Sequence, residues 1–145
     1  MKKIYLILAI LTLGLFVTNK LNAQSETELV EICNQLSGDV TYLKDFTAKL
    51  DAGNPPPTAK HSLVLSKSTQ YRLSVCSSKD YPGEAILNLY DNNRLVATTH
   101  NVATGKDYPY VDFKCQKTGV YHIFIKFKEG QPGLAVGILS FVQKF

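Results

Sequence analysis

The sequence predicts an all-β protein: an antiparallel β-sandwich of the jelly-roll type, with about eight strands and one short N-terminal helix. Two observations carry this prediction. After three consecutive prolines, Pro55–Pro57, short segments of alternating apolar residues follow one another, separated by turn residues. Before these prolines, residues 26–37 carry apolar side chains at helical spacing. Three prolines in a row fix φ and remove three amide donors, so residues 51–58 form a stiff connection between the two parts.

The first 23 residues have the organisation of a secretory signal peptide: a basic start, an apolar run from Ile4 to Val17, and Ala23 before Gln24. The apolar run is shorter than the roughly 20 residues that a membrane-spanning helix needs. The first cysteine, Cys33, lies well beyond the cleavage point, so no lipid anchor is expected. We therefore expect an exported protein, periplasmic or extracellular, with one domain over residues 24–145 and no membrane insertion after cleavage.

The charge of the exported part excludes one class of partner. The whole chain has 16 basic and 12 acidic residues, but Lys2, Lys3 and Lys20 leave with the signal peptide. The remaining 13 basic residues nearly balance the 12 acidic ones, which leaves a net charge of +1. The lysines are also interspersed with acids, so no nucleic-acid partner is predicted.

The helix is predicted over about residues 26–37, within an N-terminal segment that spans residues 24–38. Ser25 to Glu28 has the form of a capping box, in which a serine and a glutamate satisfy the first free amides of a helix. The apolar positions that follow at helical spacing are Leu29, Ile32, Cys33 and Leu36. Gly38 ends this pattern.

The strands are predicted to occupy residues 39–145. Alternation over 40–50 favours a strand, although Lys44 interrupts its apolar face and a helix is the alternative. Turn residues at Asp91–Asn93, Lys117–Gly119 and 129–133 separate the later segments. The other predicted strands are 62–66, 70–76, 85–90, 94–100, 110–117, 120–128 and 134–142.

Two strands reveal how the layers are covered. In strand 120–128, Tyr121, Ile123, Ile125 and Phe127 form the core face, and the opposite face carries the candidate interface residues His122, Phe124 and Lys126. An exposed Phe124 would indicate an interface, but we expect the helix to cover it. The last strand is apolar on both faces, so the helix is also expected to cover its second face, formed by Val136, Ile138 and Val142.

Three stretches resemble those of small secreted β-sandwich domains: Tyr71–Val75, Ile86–Asp91 and Thr118–Ile123. In bacterial pre-peptidase C-terminal domains, similar runs form a strand, a strand that ends in an aspartate turn, and a turn that enters a late strand as Gly-x-Tyr. The GOLD domains of secretory-pathway cargo receptors share a similar late strand. The resemblance covers residues 62–142 and implies a jelly-roll fold with a non-catalytic accessory or binding role. The chain carries no peptidase segment and residues 26–37 have no counterpart, which implies a stand-alone module or a subunit of a larger assembly.

The sequence offers little for catalysis or metal binding. It contains neither a Gly-x-Ser-x-Gly elbow nor a Cys-His signature of a hydrolase. The three histidines, His61, His100 and His122, have no ligand nearby at a metal-binding spacing, and Asp91–Asn93 is better explained by a hairpin turn than by calcium. We predict no catalytic residue, metal or cofactor. A pair of carboxylates brought together by the fold, as in a glycan-acting hydrolase, is the alternative.

Three cysteines, Cys33, Cys76 and Cys115, remain after signal cleavage. In an oxidising compartment we expect two of them to form one disulfide and the third to be buried. Their spacing does not indicate which two pair, and three reduced thiols are the alternative.

The candidate ligand-binding residues are tyrosines beside prolines: Tyr81 before Pro82, and Tyr108 and Tyr110 on either side of Pro109. Such rings can present rigid stacking surfaces to a sugar or a peptide. The leading hypothesis is an exported, non-catalytic module that binds a protein or carbohydrate partner. The alternatives are a small glycan-acting hydrolase and a structural or envelope-assembly subunit that accepts an added strand beside an open last strand.

Overall fold

The computed structural model describes residues 25–145. The predicted signal peptide, and the start of the domain at Gln24, lie outside these residues. The described part contains one α-helix, ten strands and a short 3-10 turn, Lys128–Gly130. They are α1 Glu26–Leu36, β1 Thr41–Leu50, β2 Ala59–Leu65, β3 Thr69–Ser77, β4 Ala85–Asp91, β5 Arg94–Thr98, β6 His100–Asn101, β7 Lys106–Asp107, β8 Tyr110–Cys115, β9 Gly119–Phe127 and β10 Gly133–Lys144.

The eight long strands form two four-stranded antiparallel sheets. The first sheet has the order β1-β10-β3-β8 and the second has the order β2-β9-β4-β5. Successive long strands alternate between the two sheets up to β4, and the last two return to the centre of each sheet, as in a jelly roll. The predicted all-β sandwich is therefore confirmed, and the segment over 40–50 is a strand. Because β10 pairs with both β1 and β3, the last strand has no open edge along its paired length.

One difference from the predicted strands lies between β5 and β8. The predicted strand 94–100 ends at Thr98, and β6 and β7 form a separate two-stranded hairpin. Thr98 causes this break locally: its hydroxyl accepts a hydrogen bond from the amide of His100 at 3.1 Å. A threonine side chain that bonds a nearby backbone amide competes with the strand ladder.

The space between the two sheets holds the main core. Tyr121, Ile123, Ile125 and Phe127 are all buried in it, as the alternation of β9 predicts. Facing residues such as Leu73 and Leu87 are fully buried as well.

Helix α1 covers the outer face of the first sheet. Its Leu29 and Cys33 pack with Val136 and Ile138 of β10, so the expectation that the helix covers the second face of the last strand is confirmed for these two residues, whereas Val142 lies outside this cluster. The expectation that Ile32 and Leu36 also pack against this strand is wrong, because Ile32 is 37% exposed and Leu36 is 56% exposed. At the N-terminus, the Ser25 side chain accepts a hydrogen bond from the amide of Glu28 at 3.1 Å, as in the predicted cap. The helix of the described part is too short to cross a membrane.

A disulfide joins Cys33 of α1 to Cys76 of β3, with their Cα atoms 5.5 Å apart. The expectation of one disulfide is confirmed, and the structure identifies its partners. Cys115 is the free, buried cysteine. Its thiol lies 3.2 Å from the carbonyl oxygen of Lys117.

Candidate functional site

The β6–β7 hairpin lies where the two sheets meet at one side of the sandwich. β5 and β8 are the edge strands of their sheets on that side and pack against each other. Residues 101–110 are all exposed. The hairpin is nevertheless held by backbone hydrogen bonds, from Gly105 to the carbonyl of Asn101 and from Tyr108 to the carbonyl of Thr99, both at 2.8 Å. An ordered turn thus stands out from the edge of the sandwich.

A groove of about 600 Å³ runs beside this hairpin, and we call it the edge groove. It is lined by Thr98, residues 100–103, Tyr108 and residues 110–112. Its apolar surface is open to solvent, because Val102 is 86% exposed, Tyr108 43% and Tyr110 38%. Apolar side chains gathered at an exposed groove are typical of an interaction site.

The three candidate tyrosines do not come together. Tyr108 and Tyr110 both line the edge groove, as their common loop suggests. Tyr81 instead packs against the cluster of Leu29 and Cys33 beneath the helix. It therefore helps to seat the helix and does not line the groove.

A stacked ion pair fixes the position of Tyr110. The Arg72 guanidinium lies 3.9 Å from the centre of the Tyr110 ring. The same guanidinium donates to both carboxylate oxygens of Asp112, at 2.7 and 2.9 Å. The hydrogen bond from Arg72 holds the pKa of Asp112 below its usual value, although burial acts in the opposite direction. This wall of the groove is consequently rigid and its carboxylate is neutralised.

A second set of charges connects the hairpin to the rest of the sandwich. His100 Nδ1 lies 2.6 Å from Asp107 Oδ1, and Lys128 also donates to Asp107. Lys128 in turn lies 3.3 Å from the carboxylate of Glu84. Desolvation opposes ionisation of Asp107, but the hydrogen bonds from Lys128 and His100 outweigh it and lower the pKa of this carboxyl. The carboxylate therefore stays ionised and ties the hairpin to the turn after β9.

The second candidate region, with His122, Phe124 and Lys126, lies on the outer face of the second sheet. The expectation that the helix covers Phe124 is wrong. Helix α1 packs on β10 and β3 of the first sheet, whereas Phe124 points away from the core on β9 of the second. Alternation along β9 correctly indicates that Phe124 faces outward, but it does not indicate which layer lies above it.

Phe124 is part of a pocket of about 290 Å³, which we call the aromatic pocket. Its ring packs edge-to-face on that of Tyr90, with the two centres 5.1 Å apart. The ammonium of Lys60 lies 5.6 Å from the centre of the Phe124 ring. The pocket is lined by Thr58, Asn88, Tyr90, Asn92, Asn93, Phe124 and Lys126.

His122 lies outside the aromatic pocket and bonds to Ser62, whose hydroxyl oxygen is 2.9 Å from His122 Nδ1. In a catalytic triad a carboxylate orients the histidine that activates the serine. Within residues 25–145, the only side-chain hydrogen bond of His122 is the one to Ser62. The same residues contain no group of three or more histidine, cysteine, aspartate or glutamate side chains suited to a metal ion.

Sequence reasoning missed several residues that line these two regions. Val102 was not recognised, although it is the single large apolar residue in a polar stretch between two strands. Asn88 and Tyr90 were predicted to be strand residues, and their place beside Phe124 depends on the pairing of β4 with β9.

The comparisons with known proteins identify the fold and no family. No protein-family model matches the chain, and no curated protein sequence matches it. Among solved structures, the chain is similar to PliG of Aeromonas hydrophila, described as a periplasmic lysozyme inhibitor of g-type lysozyme. The TM-score is 0.51 at 10% sequence identity, over 70% of this chain and 88% of PliG.

It is also similar to the pre-peptidase C-terminal domain of a collagenase from Bacillus anthracis. Here the TM-score is 0.52 at 13% identity, over 69% of this chain and 90% of that domain. The resemblance to pre-peptidase C-terminal domains is thus confirmed at the level of the fold. The resemblance to GOLD domains stays a prediction.

Proposed function

We propose that this protein is an exported, non-catalytic β-sandwich module that binds a protein partner through the edge groove. One observation carries the proposal: Val102, an almost fully exposed valine, stands beside Tyr108 and Tyr110 on a hairpin that hydrogen bonds and ion pairs hold in place. A rigid hairpin loses little conformational freedom on binding, so the burial of its apolar side chains contributes to affinity with little entropic cost.

The composition of the groove favours a protein over a small molecule. Aromatic residues and arginine are enriched where protein interfaces are buried, and Tyr108, Tyr110 and Arg72 lie at this edge. A protruding valine suits an apolar pocket on a partner. PliG, whose fold is similar, is described as the inhibitor of a lysozyme and hence as a protein that binds a protein. This supports the same class of partner here.

Two features support export. The signal-peptide pattern of residues 1–23 predicts it. The Cys33–Cys76 disulfide is of a kind that persists in the periplasm or outside the cell, and is rare in reducing compartments.

The acids beside the edge groove are bound by cationic side chains, which favours a binding function over glycan hydrolysis. A glycosidase needs one carboxyl whose pKa is raised so that it donates a proton. Asp107 and Asp112, which lie beside the groove, instead have lowered pKa values because cationic side chains bind them. These acids support the structure of the groove and are poor proton donors.

Site-specific photo-crosslinking tests the proposal in cells that produce the protein. A photoreactive residue is placed at position 102, and a matched variant carries it at Val64, which is 67% exposed on β2 and outside the edge groove. We expect a discrete protein adduct from position 102 and none from position 64. Adducts of equal yield at both positions, or none at position 102, would contradict the proposed partner and site.

A further inference from the structure

The outer face of the second sheet carries a second feature that a protein-binding edge groove does not explain. Alternation on β2 and β9 turns Lys60, Ser62, His122, Phe124 and Lys126 outward, because the opposite face of these strands carries the buried core residues Leu63, Ile123 and Ile125. No aspartate or glutamate occupies an outward position on the four strands of this sheet. Within the described residues, neither Lys60 nor Lys126 has a carboxylate within salt-bridge distance. The face is therefore cationic, and its charges are not neutralised by the protein.

The acid closest to this face along the chain is already bound elsewhere. Asp91 ends β4 beside Tyr90, and its carboxylate contacts Lys117 at 3.3 Å and Arg94 at 3.7 Å. Only 13% of its side chain is exposed. It thus leaves the positive charge of Lys126 available to a ligand.

The aromatic pocket combines this charge with groups that recognise a hydroxylated ring. Phe124 and Tyr90 fix each other edge-to-face and provide apolar ring surface. Asn92 and Asn93 each carry one amide acceptor and two donors beside these rings. The amide oxygen of Asn88 accepts a hydrogen bond from Thr98 at 2.6 Å, which leaves the N–H groups of Asn88 for a ligand. Stacking surface surrounded by amides suits a sugar, whose ring has an apolar C–H face and polar hydroxyl edges.

The shape extends this site beyond a single ring. A shallow depression that shares Asn88, Tyr90 and Lys126 with the aromatic pocket continues across β4 to Leu95 on β5 and reaches the rim of the edge groove. With neighbouring strands about 4.8 Å apart, the path from β9 across β4 to β5 is about 10 Å long. A chain of linked rings fits such a path better than an isolated sugar.

From these observations we propose that the outer face of the second sheet binds an acidic polysaccharide, with a uronate ring in the aromatic pocket. The sugar ring stacks on Phe124 and contacts Tyr90 beside it, the asparagine amides bond its hydroxyl groups, and Lys126 with Lys60 neutralises the carboxylates of the chain. This site borders the edge groove at Thr98, His100 and Val102, but it does not rest on the protein-binding function proposed above.

Binding of the mature protein to three soluble polymers tests the proposal. Polygalacturonate carries the uronate rings, its fully methyl-esterified form keeps the same rings without charge, and polyglutamate carries carboxylates without sugar. We expect measurable affinity for polygalacturonate that weakens as salt is added, because exposed charges are screened. We expect binding at least about tenfold weaker to the other two polymers, since each lacks one of the two elements of recognition.

Variants locate the site. Phe124→Ala is expected to weaken polygalacturonate binding about tenfold, and Lys126→Gln about threefold to fivefold. Lys49→Gln, an exposed position on β1 of the first sheet, serves as the matched charge control and should leave the affinity unchanged. Tyr108→Ala, in the part of the edge groove that the depression does not reach, should do the same, which distinguishes this site from the protein site. Thermal unfolding of each variant shows that it is folded.

Several outcomes would overturn the proposal. Equal binding to polyglutamate would mean that any polyanion, including an acidic protein, binds to this face without a sugar ring. Equal binding to the methyl ester, which has no carboxylate charge, would show that the lysines do not contribute to binding. No affinity for polygalacturonate, or no response to Phe124→Ala in a folded variant, would show that the face does not bind an acidic sugar chain.

Discussion

The Cys33–Cys76 disulfide is expected to supply a large part of the stability of the domain. It closes a loop of 43 residues that contains the end of α1, all of β1 and β2, and most of β3. By the chain-entropy relation, closing a loop of this length in the unfolded state stabilises the folded state by about 4 kcal/mol. A domain of this size has a total unfolding free energy of roughly 5–15 kcal/mol. Loss of the crosslink is therefore expected to leave the protein marginally stable.

Urea unfolding of the oxidised protein and of the double variant Cys33→Ala/Cys76→Ala measures this contribution. The Cys115→Ala variant removes a buried sulfur that is not crosslinked and should cost only about 1 kcal/mol. The double variant should lose several kcal/mol, and the dependence of its unfolding free energy on urea should steepen because its unfolded chain exposes more surface. A loss no larger than that of Cys115→Ala, with an unchanged slope, would refute the reasoning.

Two further predictions concern the helix and the ion pair at the groove. Leu29→Ala, at a side chain that is 1% exposed, should lower the unfolding free energy by about 2–5 kcal/mol. Ile32→Ala, on the open side of the helix, should change it by under about 0.5 kcal/mol. Equal losses of both variants in urea unfolding would contradict the packing of α1. Because Arg72 lowers the pKa of Asp112, their interaction stabilises the fold at neutral pH and is lost as the pH falls below about 4. Asp112→Asn should thus destabilise the protein by about 1 kcal/mol or less at pH 7 and by less still at pH 3, and an effect that grows toward low pH would show that the sign is wrong.

Local patterns predicted the layers of this protein well. Alternation in β9 predicted which four residues enter the core, and the capping residues predicted where α1 begins. The doubly apolar last strand predicted that another element covers it, since an exposed face with Val136 and Ile138 would be costly. These features are set by neighbours in sequence, and their physical causes act over a few residues.

What the sequence did not predict depends on contacts between distant segments. Cys33 and Cys76 are paired because the helix lies over β3, and no spacing rule indicates this. The face of Phe124 was predicted correctly, but its neighbour Tyr90 comes from β4 and its assumed cover, the helix, lies on the other sheet. The β6–β7 hairpin was missed because two-residue strands are too short to show alternation.

The candidate sites show the same difference between features set by neighbours in sequence and features set by contacts between distant segments. Tyr108 and Tyr110 share a loop and therefore share the edge groove, as sequence proximity suggests. Tyr81, which has the same local motif, packs beneath the helix because the loop after β3 folds toward α1. A tyrosine beside a proline thus indicates a rigid position and leaves its surroundings undetermined.

The affinity of the crosslinked partner for two surface variants tests the central claim most directly. Val102→Asp places a charge in the edge groove, and Val64→Asp makes the same change at an exposed valine outside it. If the groove binds the partner, Val102→Asp weakens the measured affinity by at least about tenfold while Val64→Asp leaves it within about twofold of the unchanged protein. Equal affinities of both folded variants and the unchanged protein would contradict a partner site at the edge groove.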